Sequence, residues 1–599
     1  MPVSSSSVGK AEPSRSTPSR TGTQVVVRER TDGWLGRTWR IAEPHDAPPI
    51  EGLDAPSFVG RLLRRRGVDT VPAAQEFLNP DWYQPADASV LGQWDEAIER
   101  VALAAQRGEA VAIYGDYDVD GITGTAILTE ALRDVGIDAR PFIPHREREG
   151  YGIQDAALAQ LASDGAQVLI TADCGITALN EIAAAREQHG MDVIVLDHHE
   201  PADALPGANA IVTPKLAPSG HPLSELSTGG LAYRFAHAVA ERMRTPADQR
   251  RWLDLAAMST VADVVPLRGE NRWIVHQGLR ALQATERPGL RSLLQSGRSR
   301  APIDTETIGF QLAPRINAAG RLDDASLALE MLMERDRDAA RELAGRLNQL
   351  NDQRRRLTDE AMKEAQSQIE RQLDPAGQAP LVLFVGGEEL HHGIVGIVAG
   401  RLADQWSRPA FAWSLVDGEA RASGRSAAGF DLVRMLDGAR ELLIRGGGHA
   451  MAAGFSALPQ HMGALMARFN ESAQSQLDAG DAGAWAALEG RTDIDAQVPL
   501  TALTPGIVHW IERLAPFGEG NPAPVFLSNG VDVRGVKTVG QDGAHLRLDL
   551  ERWSAIGWRL GKAAAAVQSQ VDLVWRLRRG LRGRPELEIL DLSVSSSDG

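Results

Sequence analysis

The sequence predicts an α/β multidomain protein, and three observations carry that prediction. Three apolar runs, 110–114, 168–172 and 193–196, each end abruptly in acids or histidines, and Ala/Leu-rich helical patterns (124–135, 155–163, 178–188) separate them. Strands alternating with helices are the signature of a parallel sheet. A second observation is the 3–4 spacing of apolar positions 343, 347, 350, 357, 361 and 369 among Arg, Glu, Asp and Gln within 324–372, which describes a long amphipathic helix joining two domains. Third, alternation in H-L-R-L-D-L (545–550) and V-D-L-V-W-R-L-R (571–578) marks a small C-terminal β domain.

Length and composition agree with this division. A chain of 599 residues holds about three or four domains. No window reaches the roughly 18 uninterrupted apolar residues of a membrane helix. One cysteine, Cys174, permits no internal disulfide, so a reducing, cytoplasmic setting is expected. Residues 1–30 are rich in Ser, Pro, Thr and Arg and bury too little apolar surface to offset ordering entropy, so a disordered tail is expected over 1–40. The net charge of −16 argues against a nonspecific coat for duplex DNA, but not against an enzyme with a local basic groove.

Taken in order, helical patterns occupy 40–105 and the parallel-sheet domain continues to 330, giving a first unit at 41–330. A connecting helix follows at 331–375. A second α/β unit at 376–462 has a strand at 381–385, a helix at 393–405 and glycine-rich S-G-R-S and G-G-G-H turns. The β domain takes 463–599. In open parallel sheets, ligands bind beyond the carboxyl ends of the strands, where the first unit collects its polar groups: Asp116, Asp118 and Asp120; Asp173; Asp197, His198 and His199. Asp263 closes the apolar stretch L-A-A-M-S-T-V-A-D-V-V-P.

Carboxylates gathered this closely repel and would protonate unless a cation neutralises them. Many oxygen ligands with a histidine suit Mg²⁺ or Mn²⁺, and four or five acids exceed the needs of one ion. Two ions about 3.5–4 Å apart activate a water and stabilise the leaving oxygen of an in-line displacement. Singly, an Asp after a strand is more often a turn or helix cap, and a His-His pair is ordinary surface or core; convergence of four clusters outweighs both readings. Cys174 has no evident base beside it and reads as a small buried residue.

D-Y-D-V-D-G, A-D-C-G, L-D-H-H-E and V-A-D-V-V-P, in this order, resemble the four motifs of the DHH phosphoesterase superfamily. P-H-R-E-R-E-G-Y-G-I (144–153), A-P-R-I-N-A-A-G-R-L-D (313–323), H-H-G-I-V-G-I-V-A-G-R-L (391–402), S-G-R-S (423–426), G-G-G-H-A-M-A-A-G-F (446–455) and A-P-F-G-E-G-N-P-A-P-V-F (515–526) extend the likeness over roughly 45–595. They point to its single-strand-specific 5′ to 3′ DNA exonuclease branch. The resemblance implies a DHH domain, a DHHA1 domain and an OB-like C-terminal barrel. It implies Asp118, Asp120, Asp173, His198 and Asp263 as ligands of two Mn²⁺ or Mg²⁺ ions, with Asp116 and His199 as flanking site residues. Tyr114 stands where the pyrophosphatase and oligonucleotidase branches carry a histidine, which favours the exonuclease branch.

For the substrate, the resemblance assigns His449 to a nonbridging oxygen of the scissile phosphate, the backbone of Gly447 and Gly448 to the same group, and Ser423, Arg425 and Arg146 to a terminal 5′-phosphate. Arg315, Asn317, Arg321 and His391 are further candidates for the strand. Arg576, Arg578, Arg579, Arg582 and Arg584, with Trp558 and Trp575 nearby, are candidates for a single-strand groove on the barrel. The expected reaction is removal of 5′-mononucleotides from single-stranded DNA in repair and recombination by a monomer, with a helicase and a single-strand-binding protein as family-implied partners. A DHH oligoribonuclease or cyclic-dinucleotide phosphodiesterase is the enzymatic alternative, and a noncatalytic replication scaffold the alternative of another class.

Overall fold

The computed structural model describes residues 27–31, 33–43, 47–146, 152–297, 302–427, 429–479, 490–580 and 583–594. One strand lies inside the segment expected to be a tail and a second overlaps its end. β1 (Val27–Arg30) and β2 (Thr38–Ala42) pair antiparallel, and β2 runs parallel to β13 (Arg491–Ile494). The expectation for 1–40 is therefore corrected from residue 27 onward. The compositional argument missed Trp39, which is completely buried and donates its indole N–H to Asp591 at 2.9 Å. One large aromatic side chain seated on the C-terminal domain offsets the ordering of a short polar strand.

The first sheet has the order β4-β3-β5-β6-β7 and is parallel throughout: β3 (Ala110–Gly115), β4 (Ala139–Phe142), β5 (Ala166–Ala172), β6 (Asp192–Leu196) and β7 (Ala210–Val212). The three expected strands are its central members, buried on both faces as apolar runs of a parallel sheet must be. Strand order reverses between β3 and β5, the switch point at which such sheets open a crevice. The helix Arg337–Glu370 buries Ala340, Ala344, Leu347, Ala361, Ala365 and Ile369 and leads into the second sheet.

That sheet is ordered β11-β12-β10-β9-β8, from β8 (Leu383–Gly387), β9 (Ala410–Val416), β10 (Glu419–Arg425), β11 (Leu443–His449) and β12 (Ala452–Ala457). The glycine-rich stretches are strands rather than the expected turns. A Cβ on Gly448 would lie 2.5 Å from the Ala452 carbonyl oxygen, so the glycines there permit close approach of β11 to β12. The helix Met462–Asp478 packs Met462, Leu465, Phe469 and Leu477 against Phe384, Phe411 and Phe455, which moves the end of this unit from 462 to 478.

The C-terminal domain is a barrel of β15 (Val525–Val539), β16 (His545–Leu550), β17 (Ser554–Gly557), β19 (Pro585–Ser593) and β18 (Gln570–Arg579), with β14 (Ala496–Gln497) beside β15. It closes because β15 changes partner midway. Residues 525–532 pair with β18 and 533–539 with β16, with register breaks at Ser528/Val531 and Val533/Gly535.

A buried polar clasp joins this domain to the first. Asn521, fully buried, donates to the carbonyls of Leu514 and Pro516 at 2.8 Å and accepts from Arg66 Nε at 2.8 Å. Arg272 donates to the carbonyls of Phe77, Ala515 and Pro516. Asn521→Ala leaves the buried Arg66 Nε and the Leu514 carbonyl without a partner, and should lower unfolding free energy by about 2–3 kcal/mol in urea titration.

Candidate active site

At the end of β3 the chain turns sharply into the helix Val119–Asp134. Asp118 caps it, its Oδ1 accepting from the N–H groups of Asp120 at 2.8 Å and Gly121 at 3.2 Å. Capping and ligation are thus compatible in one carboxylate, since the cap uses only Oδ1. A Cβ at Gly121 would stand 2.5 Å from the Asp116 backbone, so glycine is what lets the helix start press on the strand end.

Asp120 crosses to the start of the helix Thr228–Arg242 and accepts from the N–H groups of Thr228 and Gly229, both at 2.8 Å. A helix N-terminus suits a carboxylate through its free N–H groups and its dipole. Asp173, after β5, holds φ at +70° and accepts from the Thr228 hydroxyl at 3.0 Å. That left-handed backbone is uncommon outside glycine, and it aims the side chain back across the switch point.

His198, after β6, completes the arrangement. Its Nε2 lies 3.5 Å from Asp120, 3.3 Å from Asp173 and 3.4 Å from Asp263, and is buried without a hydrogen-bond partner. His199 Nδ1 lies 2.8 Å from Asp197 Oδ1, and Asp197 is itself fixed by the Ile176 N–H at 2.9 Å. Asp263 follows the helix Leu253–Ala262 at its C-terminal, electronegative end, where an acid gains nothing from the helix.

Three sets of potential ligand atoms lie within 4.8 Å of one another: Asp116, Asp118 and Asp173; Asp120, His198 and Asp263; and Asp173, His198 and His199. The first two share no member, and the third links them through Asp173 and His198. Burial and then the neighbouring Asp118 push Asp116 up to about 8; burial and then Asp120 push Asp263 up to about 8. Asp118 and Asp173 are raised by burial and by Asp120. Burial lowers His198, whereas His199 is pushed up to about 9 because its bond to Asp197 overcomes burial. Acids forced towards their neutral forms around an orphaned imidazole nitrogen fit divalent cations.

Where the first domain meets the second, Arg321 donates to the Gly393 carbonyl at 3.2 Å, and Arg146, on the loop after β4, lies over the Tyr117 ring at 5.1 Å. Arg321 is held down to about 10 by burial and by Arg146, with Arg425 close enough to contribute. Arg425 donates to Ser423 Oγ at 3.0 Å and is lowered by burial and Arg146. These guanidiniums, drawn from three separate segments, form one cationic pocket. Arg315 binds the Gln311 carbonyl, while its Nε and the Asn317 Oδ1 are buried without partners. His391 Nδ1 accepts from the Gly393 N–H at 3.0 Å, a local cap.

Gly447, Gly448 and His449 are exposed on the edge strand β11; among the described residues, no hydrogen bond or ion pair ties His449 to the carboxylates. On the barrel, Trp575 is fully buried and bonded to Ser528, so it is core and offers no stacking face. Arg576 pairs with Glu588 and Glu306, and Arg579 with Glu512. Arg578 lies over the half-exposed Trp558 at 5.2 Å, Arg584 is exposed, and Arg582 lies outside the described residues. Sequence reasoning missed Thr228 and Ser259, and placed Asp197 among the polar strand ends without a task of its own. S-T-G-G at 227–230, a helix-start signature ahead of an apolar run, was the available signal for the first.

Family models match residues 110–260 (DHH family, N-terminal domain), 377–475 (DHHA1 domain) and 494–590 (RecJ OB domain). The single-stranded-DNA-specific exonuclease RecJ of Bacillus subtilis is 34% identical over 576 residues, covering 93% of this chain and 71% of that protein. The chain belongs to the RecJ family. The Dickeya dadantii RecJ is 35% identical over 79% of this chain and 83% of its own length. RecJ from Thermus thermophilus in complex with Mn²⁺ superposes with a TM-score of 0.78 at 30% identity, covering 93% of this chain and 80% of that one. The Mg²⁺ complex from the same organism gives a TM-score of 0.73. Among the described residues, no helix is long and apolar enough to cross a membrane.

Because Asp116 and Asp263 titrate near 8 in the cation-free protein, a cation must displace protons to bind. Mn²⁺ affinity should therefore fall as pH drops through about 8 and level off above it. Calorimetry in buffers of different ionisation enthalpy should record the released protons.

Proposed function

We propose that this RecJ-family chain is a divalent-metal-dependent exonuclease that shortens single-stranded DNA from its 5′ end and releases 5′-mononucleotides. The observation that carries the reading is the convergence of two disjoint ligand triplets, joined by Asp173 and His198, beside a pocket of three guanidiniums. Two Mn²⁺ or Mg²⁺ ions bound there supply the charge that activates water and steadies a leaving 3′ oxygen. Asp118, Asp120, Asp173, His198 and Asp263 hold the cations, with Asp116 and His199 completing the set.

Arg146, Arg321 and Arg425, with Ser423, receive the 5′-phosphate; a guanidinium fork matches its geometry and charge. Anchoring the terminal phosphate beside the carboxylates presents the next phosphodiester to them, which gives the polarity. Asn317 and Arg315 contact the following backbone, and the N–H groups of Gly447 and Gly448 with His449 stabilise the scissile phosphate once the strand lies in the crevice. Trp558, with Arg578 over its ring and His545 at 4.9 Å edge-on, forms a stacking platform for bases farther along. Action in DNA repair and recombination as a cytoplasmic monomer, with a helicase and a single-strand-binding protein as partners, belongs to the same reading.

On a 5′-labelled single strand with Mn²⁺, the labelled mononucleotide should be released first, and EDTA or Asp173→Ala should reduce release to background. Retention of the 5′ label on progressively shorter strands would overturn the polarity, and full activity in EDTA the metal dependence. Trp558→Ala should weaken single-strand binding by about 1–3 kcal/mol, measured by fluorescence anisotropy, and leave hydrolysis of a dinucleotide unchanged.

A further inference from the structure

We propose that Thr228 and Ser259 are positioning residues of the metal centre: a buried floor of hydroxyls that fixes the separation and tilt of Asp120 and Asp173. The proposal rests on the reading of those two acids as cation ligands and assigns work to side chains beneath them. Ser227, Thr228, Ser259 and Thr260 are all completely buried. Buried hydroxyls are costly unless bonded, and each of these is bonded.

The direction of every proton in the floor follows from counting. Thr228 Oγ1 donates to Asp173 Oδ1 at 3.0 Å while its own backbone N–H donates to Asp120 Oδ2 at 2.8 Å. One residue therefore spans acids delivered by two different strands. Ser259 Oγ donates its single proton to Asp120 Oδ1 at 2.5 Å, so the 2.6 Å contact with Ser227 must be donated by Ser227. Thr260 gives its proton to the Ala256 carbonyl at 2.7 Å and does not compete. The relay Ser227 to Ser259 to Asp120 thus runs one way, towards the carboxylate.

Glycines make this geometry possible. A Cβ at Gly229 would lie 2.5 Å from the Ser259 Oγ and Cβ, so only glycine lets Ser259 reach Asp120. With Oδ1 of Asp120 taken by Ser259 and the Gly229 N–H at 2.8 Å, and Oδ2 held by Thr228, neither oxygen can rotate away from His198. Hydrogen-bond partners of metal ligands are worth about 10–100-fold in affinity or activity when removed.

The discriminating substitution is Thr228→Val, which keeps the shape and the backbone N–H and deletes only the hydroxyl; Thr228→Ser restores it. Mn²⁺ binding by electron paramagnetic resonance should weaken about tenfold or more in Thr228→Val and in Ser259→Ala, with Thr228→Ser within about twofold of the parent. A purely structural role would lower the melting temperature of the cation-free protein and leave Mn²⁺ affinity unchanged, and that result overturns the proposal. Should Thr228→Val not fold, Ser259→Ala decides alone. Asp173→Asn separates the two layers of inference. If it binds Mn²⁺ like the parent, the ligand reading fails; if it loses Mn²⁺ while Thr228→Val and Ser259→Ala retain it, only the positioning role fails.

Discussion

Mutual repulsion among buried acids is the constraint around which the first domain is organised. Asp116, Asp118, Asp120, Asp173 and Asp263 come from two strand ends and one helix end, and burial drives Asp116 and Asp263 up to about 8. Such a gathering is unfavourable for folding and persists only because its surroundings hold it. The central parallel strands are buried on both faces, the helix at Thr228 presents N–H groups to Asp120, and Gly121 and Gly229 allow approaches that any side chain would block. Strain collected at one spot and supported from all sides is a usual mark of a functional site.

The same logic explains the architecture around the crevice. Acids are supplied by the parallel sheet, and guanidiniums by the loop carrying Arg146, the helix carrying Arg321 and the antiparallel part of the second sheet carrying Arg425. Arg146 and Arg321 thus share the first unit with the acids while Arg425 comes from the second, and the contact of Arg321 with the Gly393 carbonyl ties the two units together. A strand's phosphates can be shared between cations held by the acids and the arginines beside them.

Much of this was legible in the sequence because it depends on short-range pattern. The cores of β3, β5 and β6 read directly as apolar runs, and the residues just past them as the site. β4, four residues with Pro141 on an edge, and β7, three residues long, are too short to leave a period. G-G-G-H misled as a turn because glycine signals both tight turns and close strand contact, and only the partner strand tells which. Trp575 and Trp558 look alike in sequence, yet alternation along β18 puts one in the core while the other stands past the end of β17. The hydroxyl floor escaped notice because Ser and Thr at a helix start have an ordinary capping role, which Ser227 indeed performs for Gly230.

The strands at 27–42 carry a consequence for how the chain is made. Their partner, β13, and the seat for Trp39 at Asp591 are synthesised several hundred residues later. This segment is thus completed only after much of the chain has been made, by closure of a very long loop whose entropy is met by the sheet, the Trp39 indole and the pairing of Arg30 with Asp572. Cutting the barrel matched at 494–590 free would bare the apolar face of Leu527 and Val574 on which Trp39 sits.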